Sequence, residues 1–348
     1  MIKDLLPGMK INQLTIDPLS EIRNAGIITN GSVVWVRAVA DTDYTSFQDA
    51  VGAANVRNAI NAGITAVRAD KNDYVLVIPQ DAGAVWNEGT AVDLNKNRVH
   101  LLSVGYTDAI NGFSNTIRGF VAADGIDTSI VDVTGAGCEI GGFEIRGTCG
   151  TAAGGTISGG FLRVGTASTG TAHALSVHDV RIENTQAAAA GGTPVLVAFD
   201  GDVATGIRGV TFNRCWIGDW SWAPTPMVAF GAGTAGPART VFTDTTFVMD
   251  AQATTDSYVT LGTGQTEYTI FERCKFINVE AGTAPASAIT GAVLVDNTAM
   301  MIDCMAVNTT LFGTDTELLV VPTQAGTAGA GLHNPRIGLI GTAAIAAA

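Results

Sequence analysis

Four segments of the chain share one spacing of apolar residues and recur about every thirty positions. Phe212, Cys215 and Ile217 stand in GVTFNRCWIG, and Phe271, Cys274 and Phe276 stand in IFERCKFINV. Phe242, Thr245 and Phe247 hold the same places in TVFTDTTFVM, and Met301, Cys304 and Val307 nearly do so in MMIDCMAVN. The small residue of each unit falls at 215, 245, 274 and 304, in steps of 30, 29 and 30. A fixed period of this length marks an architecture in which each unit buries its inner face only by stacking on its neighbours. Within a unit apolar and polar residues alternate, as strands that bury one face require, and Gly, Thr, Ala and Asp fill the turns between. Looser copies lie upstream, with Val177, Val180 and Ile182 in ALSVHDVRIEN and Ile140, Phe143 and Ile145 in GCEIGGFEIRG.

Thirty residues leave no room for a crossover helix, so successive strands can pair in parallel only if the chain winds as a solenoid. The expected fold is all-β, a parallel β-helix whose coils stack at about 4.8 Å with like side chains above like. Cys215, Thr245, Cys274 and Cys304 are then one inward column. About 250 residues at about thirty per coil predict on the order of eight coils. The open strand edges at the ends need covering. Residues 45–68 begin with a Thr45-x-x-Gln48 capping box and carry Val56, Ile60, Ile64 and Val67 at helical spacing, which predicts a helix lidding the first coil. Residues 1–32, with Pro7, Gly8, Pro18 and Gly31, read as an extended arm, 33–320 as the β-helix and 321–348 as a small-residue tail.

Lys and Arg number 19 against 32 Asp and Glu, a formal charge of −13, so nucleic acid is not an expected partner. No apolar run reaches the length of a bilayer helix, and no membrane is expected. The first twenty residues lack the apolar core of a secretory signal, which predicts a protein kept or assembled in the cytoplasm. Cys138, Cys149, Cys215, Cys274 and Cys304 are odd in number and widely spaced, which suits reduced structural thiols. His100, His173, His178 and His333 show no metal-ligand spacing, so neither a metal nor another cofactor is expected.

The order of a helix, VLVIP, Trp86, TAVDLNKNRVHLLSVG and then IRGF at 117–120 resembles the opening of pectate-lyase-like right-handed β-helices. The resemblance covers roughly residues 45–310 and implies the fold. It implies no single chemistry, because that superfamily holds lyases, hydrolases, epimerases and phage virion proteins without activity, and in character the chain stands closest to the last group.

The paired Asp, Gly-His-Gly and Arg-x-Lys motifs of the superfamily's polygalacturonases are missing, and Arg146, Arg181, Arg208, Arg214 and Arg273 align with no acidic cluster in the sequence. Carboxyl groups scattered in sequence can still meet in space. Glu144, Asp179, Glu183 and Asp219 are the nearest candidates for such a pair, with Glu139 beside them, and their ordinary role would be solvated outer-face residues. Trp216, Trp220 and Trp222 fall within seven positions and suit a subunit interface, sugar stacking or a self-packed loop. These features point first to a non-enzymatic phage virion protein, a capsid decoration or cement protein. It would be assembled in the host cytoplasm, oligomeric, and bound to other virion proteins. The alternative is a tailspike or tail-fibre module that binds or cleaves host polysaccharide.

Overall fold

The computed structural model describes residues 31–81, 84–104, 116–121, 129–149, 160–165, 172–184, 195–200, 207–220, 226–230, 239–261, 269–280, 283–285, 287–291, 299–309, 311–313, 318–321, 332–333 and 339–340. The expected arm lies almost wholly outside them, as do Trp222 and most of the expected tail.

The described strands form three sheets, one of twelve strands and two of eight. Sheet one contains Val99–Ser103, Glu139–Gly141, Ser176–His178, Thr211–Asn213, Thr240–Thr243, Thr269–Glu272 and Ala299–Ile302. Sheet two contains Thr116–Val121, Glu144–Cys149, Arg181–Asn184, Trp216–Gly218, Thr246–Met249, Lys275–Asn278 and Met305–Val307. Sheet three contains Val92–Leu94, Val131–Val133, Leu162–Val164, Val197–Phe199, Val228–Phe230, Val259–Leu261, Ser287–Gly291 and Leu311–Gly313. The chain visits the sheets in the order one, two, three and returns to sheet one beside its previous strand, always in parallel. This is a right-handed parallel β-helix, the hand that parallel crossovers take. Phe212 pairs with Phe242, Phe242 with Phe271 and Phe271 with Met301, so the thirty-residue rhythm is the coil itself.

Two tight corners flank sheet one, and each is made by one residue in the left-handed region. On the side entering from sheet three these are Arg98, Gly137, Ala174, Gly209 and Arg239. On the side leaving for sheet two they are Gly142, Asp179, Arg214, Asp244, Arg273 and Asp303. The next residue turns inward: Val99, Cys138, Leu175, Val210 and Thr240 at one corner, Phe143, Val180, Cys215, Thr245, Cys274 and Cys304 at the other, all buried. Corner amides bond to the coil above, as Asp179 N does to Asn213 O (3.0 Å) and Arg214 N to Thr243 O (3.0 Å). The thiols of Cys274 and Cys304 donate to Phe242 O (3.3 Å) and Phe271 O (3.2 Å). Burial pushes the Cys215 thiol up to about 12, so it is no nucleophile. Cys138, Cys215, Cys274 and Cys304 are free and buried.

The core repeats coil by coil. Phe199 stacks on Phe230 (centroids 4.4 Å apart), Phe212 on Phe242 (4.9 Å), Phe242 on Phe271 (5.1 Å) and Phe247 on Phe276 (4.9 Å), each pair within 15° of parallel. These separations are the spacing of paired strands, so the aromatic rings add attraction without disturbing the pitch.

The amino-terminal end departs from the single helix expected over 45–68. Helix α1, Tyr44–Val51, stops at Gly52, whose φ of 90° reverses the chain. Val56–Arg57 then pairs as a strand with Trp35 and Val36, and a second helix α2, Ile60–Ala66, follows. The capping box is not made: no side chain caps α1, and Gln48 Nε2 instead donates to Tyr44 Oη (3.0 Å). The N-terminus of α2 is capped from a distance, with the Ile60 and Asn61 amides donating to the two oxygens of Glu88 (2.6 and 3.1 Å). Ile60, Ile64 and Val67 join the main core, and Gly63 sits so close that a Cβ would lie 2.7 Å from Val36 Cγ2. Thus α2 closes the interior, while α1 packs Phe47 on Trp35 outside sheet one (5.5 Å, 79°). At the other end Leu339–Ile340 pairs antiparallel with Leu318–Val321, and Leu332–His333 with Met305–Val307, so the chain covers its own edge.

Ala174 holds φ 53° in the corner position where neighbouring coils place Gly137 and Gly209. An L-residue pays about 1 kcal/mol or more for that conformation and glycine does not. Ala174→Gly is therefore expected to stabilise the fold by about 1 kcal/mol and Ala174→Val to destabilise it. Urea denaturation of the two variants reads the sign directly.

Candidate functional site

The outer faces of sheets one and two carry two charged networks, one on each side of the corner at Asp179. On sheet two, register sets Thr116, Glu144, Arg181 and Trp216 in one row across four coils, and Arg146 and Glu183 in the next. Thr116 Oγ1 donates to Glu144 Oε2 (2.6 Å). Glu183 accepts from Arg146 Nε (3.0 Å) and Arg181 Nη2 (2.5 Å), and is hydrogen-bonded to Glu144. Arg146 and Arg181, two of the arginines that align with no acidic run in the sequence, are thus brought onto Glu183 by stacking.

Two carboxyl groups in direct contact can bond only if one holds a proton. Burial, then the bond to Glu144, push the Glu183 carboxyl up to about 7, against the pull of Arg181. The pair is best described as sharing that proton. Retaining and inverting glycosidases place their carboxyl groups about 5–5.5 Å and 6.5–9.5 Å apart, with the reacting sugar between them. Glu144 and Glu183 touch, so they form a proton-sharing dyad and not such a pair.

Beside the dyad the Arg181 guanidinium lies 5.7 Å above the Trp216 ring. Trp216 is buried and donates Nε1 to Gly218 O (3.2 Å), while Trp220 packs against it at 5.2 Å and is 50% exposed. Gly218, at φ 117°, lets the strand leave the sheet there: a Cβ would fall 1.9 Å from Val248 O. Asp219 follows at this exit, next to Trp220 and apart from the dyad's row.

The second network runs across sheet one. Arg214 donates to both oxygens of Asp179 (2.7 and 2.6 Å), Asp179 bonds His178 Nδ1 (2.8 Å), His178 Nε2 bonds Glu139 (3.0 Å), and Glu139 bonds His100 Nδ1 (2.7 Å). The His100 ring stacks on Tyr74 at 4.4 Å. The His178 ring crosses above Gly141, where a Cβ would be 2.4 Å from it. Burial works against every charge here and the partners win: Glu139 and Asp179 are held down at about 2 and His178 is raised to about 9. Asp179 is therefore committed to Arg214 and His178 and does not join Glu144 and Glu183. Sequence reasoning missed the histidines because 39 residues separate Glu139 from each of them. Aligning the corner residues would have set them on adjacent coils. Among the described residues no group of three His, Cys, Asp or Glu is placed to hold a metal, and no helix is long and apolar enough to cross a membrane.

The chain matches no family model and no curated protein. Among solved structures it is similar to pectin methylesterase PemA from Erwinia chrysanthemi, at 11% identity and TM-score 0.46 over 88% of this chain and 86% of that one. A pectin methylesterase in complex with hexasaccharide VII shares 10% identity at TM-score 0.47, over 82% and 81%. An alginate lyase from Paenibacillus sp. str. FPU-7 shares 10% at 0.37, over 74% and 95%. The likeness reaches the winding of the chain and no further.

The sheet-one network fixes a pH profile. A raised His178 binds its proton more tightly in the fold, so its stabilisation is complete below about 6.5 and is lost as pH rises through about 9. Glu139 and Asp179, held low, stabilise above their ordinary values of 4.5 and 3.8 and lose that contribution as pH falls towards 2. The melting temperature is expected to decline from pH 7 to 10, and His178→Gln to melt lower at pH 6 and show a flatter alkaline limb. Equal alkaline slopes in the two proteins would show that His178 carries no such linkage.

Proposed function

We propose that the chain is a glycan-binding β-helix, with its binding face on the outside of sheet two around Trp216, Trp220, Arg181 and the Glu144–Glu183 dyad. The observation that carries this reading is the half-exposed Trp220 packed at a tilt against Trp216 and within one coil of a buried, titratable hydrogen-bonding group. A sugar ring has an apolar C–H face and a rim of hydroxyls, so it suits a flat aromatic surface bordered by carboxyl and guanidinium groups. A fold whose interior is satisfied by Phe, Val and Cys columns has no need of such a group outside. On this reading a polysaccharide is the partner, and a place on a virion as an adsorption module is compatible with it.

The exposed Trp220 also favours a second reading, the capsid decoration protein, in which that ring is buried between subunits of a homo-oligomer or against another virion protein. One variant separates the two. Under the glycan reading, Trp220→Ala weakens binding to an oligosaccharide chosen from a glycan array about tenfold, or about 1–2 kcal/mol, and leaves the mass in solution unchanged. Unaltered affinity with a smaller particle by light scattering would replace the glycan reading with the interface one.

A further inference from the structure

Arg181 is the least satisfied charged group of the sheet-two face. Its Nη2 donates to Glu183 and its guanidinium covers Trp216, yet its Nε is buried without a hydrogen-bond partner. An orphaned guanidinium N–H inside a folded surface is costly, and an oxygen acceptor from outside would relieve it. Arg146, one coil away, donates its Nε to Glu183 while its side chain stays 46% exposed. Both arginines are therefore held by one carboxylate, and that carboxylate is the member of the dyad that titrates near neutrality.

The charges facing Glu183 are few. Strand Glu144–Cys149 presents Glu144 and Arg146, its own strand presents Arg181, and Trp216–Gly218 on the other side presents no titratable group. With both carboxyl groups ionised, two negative charges balance two guanidinium groups. With one proton shared, the cluster carries a net positive charge, and Glu183 holds its arginines less tightly.

We infer that an oxyanion of the glycan, a carboxylate or a sulfate, seats on Arg181 and Arg146, and that the Glu144–Glu183 pair takes up a proton as it does so. The inference rests on the glycan reading, since Trp220 supplies the exposed ring beside these arginines. The proton comes from solvent and lodges between two carboxyl oxygens; no covalent bond to the ligand forms or breaks. Binding and protonation are then linked, each strengthening the other.

Isothermal titration calorimetry of the full chain tests this at about pH 7, in triethanolamine and in Tris, two cationic buffers whose heats of ionisation differ. The probes are a hyaluronan hexasaccharide for the carboxylate, a carrageenan hexasaccharide for the sulfate and maltohexaose as the neutral sugar. A charged probe is expected to bind with a net uptake of protons and to lose affinity, by up to about tenfold per pH unit, as pH rises above neutrality. Which charged probe binds identifies the oxyanion. Glu183→Gln is expected to abolish both the proton uptake and the pH dependence of the affinity that remains. Should that variant fail to fold, the two-buffer comparison on the unaltered chain still decides. Equal heats in the two buffers would overturn proton linkage, and maltohexaose binding as tightly as the charged probes would overturn the oxyanion; both leave the glycan reading standing. Binding of none of the probes, or of any glycan on an array, would remove that reading and this inference together.

Discussion

From Arg98 to Asp303 the described corners beside sheet one each turn on a single residue at positive φ followed by an inward side chain. At one corner the series is Gly142, Asp179, Arg214, Asp244, Arg273, Asp303. Only one of the six is glycine, so most coils accept the strain of an L-residue there. What holds those residues is visible between coils: the corner amide bonds to the next coil's carbonyl, and Arg214 and Arg273 reach back to Asp179 and Asp244 with paired bonds of 2.6–2.9 Å. Acid and base alternate up the corner, so each αL residue can meet an opposite charge above or below it. Exposed pairs of this kind contribute little singly. Their value here is register, since a coil slipped by one residue would bring its corner charge against the wrong partner.

With the corners fixed, the interior needs little more than shape. Phe columns stacked at strand spacing and thiols that donate to buried carbonyls satisfy the inside of the coil. One end is closed by α2 and, at the other, antiparallel strands cover the edges of sheets one and two. On the outside, the sheet-one network still stabilises the fold, while the Glu144–Glu183 contact on sheet two carries a desolvation cost.

The sequence made the regular half of the molecule legible because there the coil length is nearly constant. Cys215, Thr245, Cys274 and Cys304 repeat at the period, and so do Phe212, Phe242, Phe271 and Met301 three positions before them. In the preceding coils the same inward position is Phe143, then Val180, then Cys215, in steps of 37 and 35, so a fixed period loses them. Their corners are nevertheless identical in backbone conformation. Glu144 and Glu183 could be singled out as carboxyl groups, but their contact with each other depends on strand register, which a variable loop conceals. The helix expected over 45–68 failed for a different reason: Gly52 breaks it, and Val56 gains more by pairing with Trp35 than by completing a helical face. The cap of α2 comes from Glu88, 28 residues on, and no local pattern announces such a partner.

Irregular coil length and charged outer faces coincide, and the coincidence has a physical basis. His178, Asp179 and Arg181 lie within four consecutive positions at one corner, so the sheet-one network and the sheet-two dyad share a hinge: Asp179 turns the chain, anchors His178 on one side and Arg214 on the next coil, and sets where Arg181 begins the following strand. Farther along, the outward residues of sheet one are Val241, Thr243, Ile270, Glu272 and Ile302, with one charge among them. A protein that needed only a rod could have repeated that plain coil throughout. Here the coils between His100 and Trp216 place buried ionisable groups on the outside, at a desolvation cost that Glu183 shows in its raised carboxyl. These titratable groups are the part of the surface on which the proposed glycan contact rests.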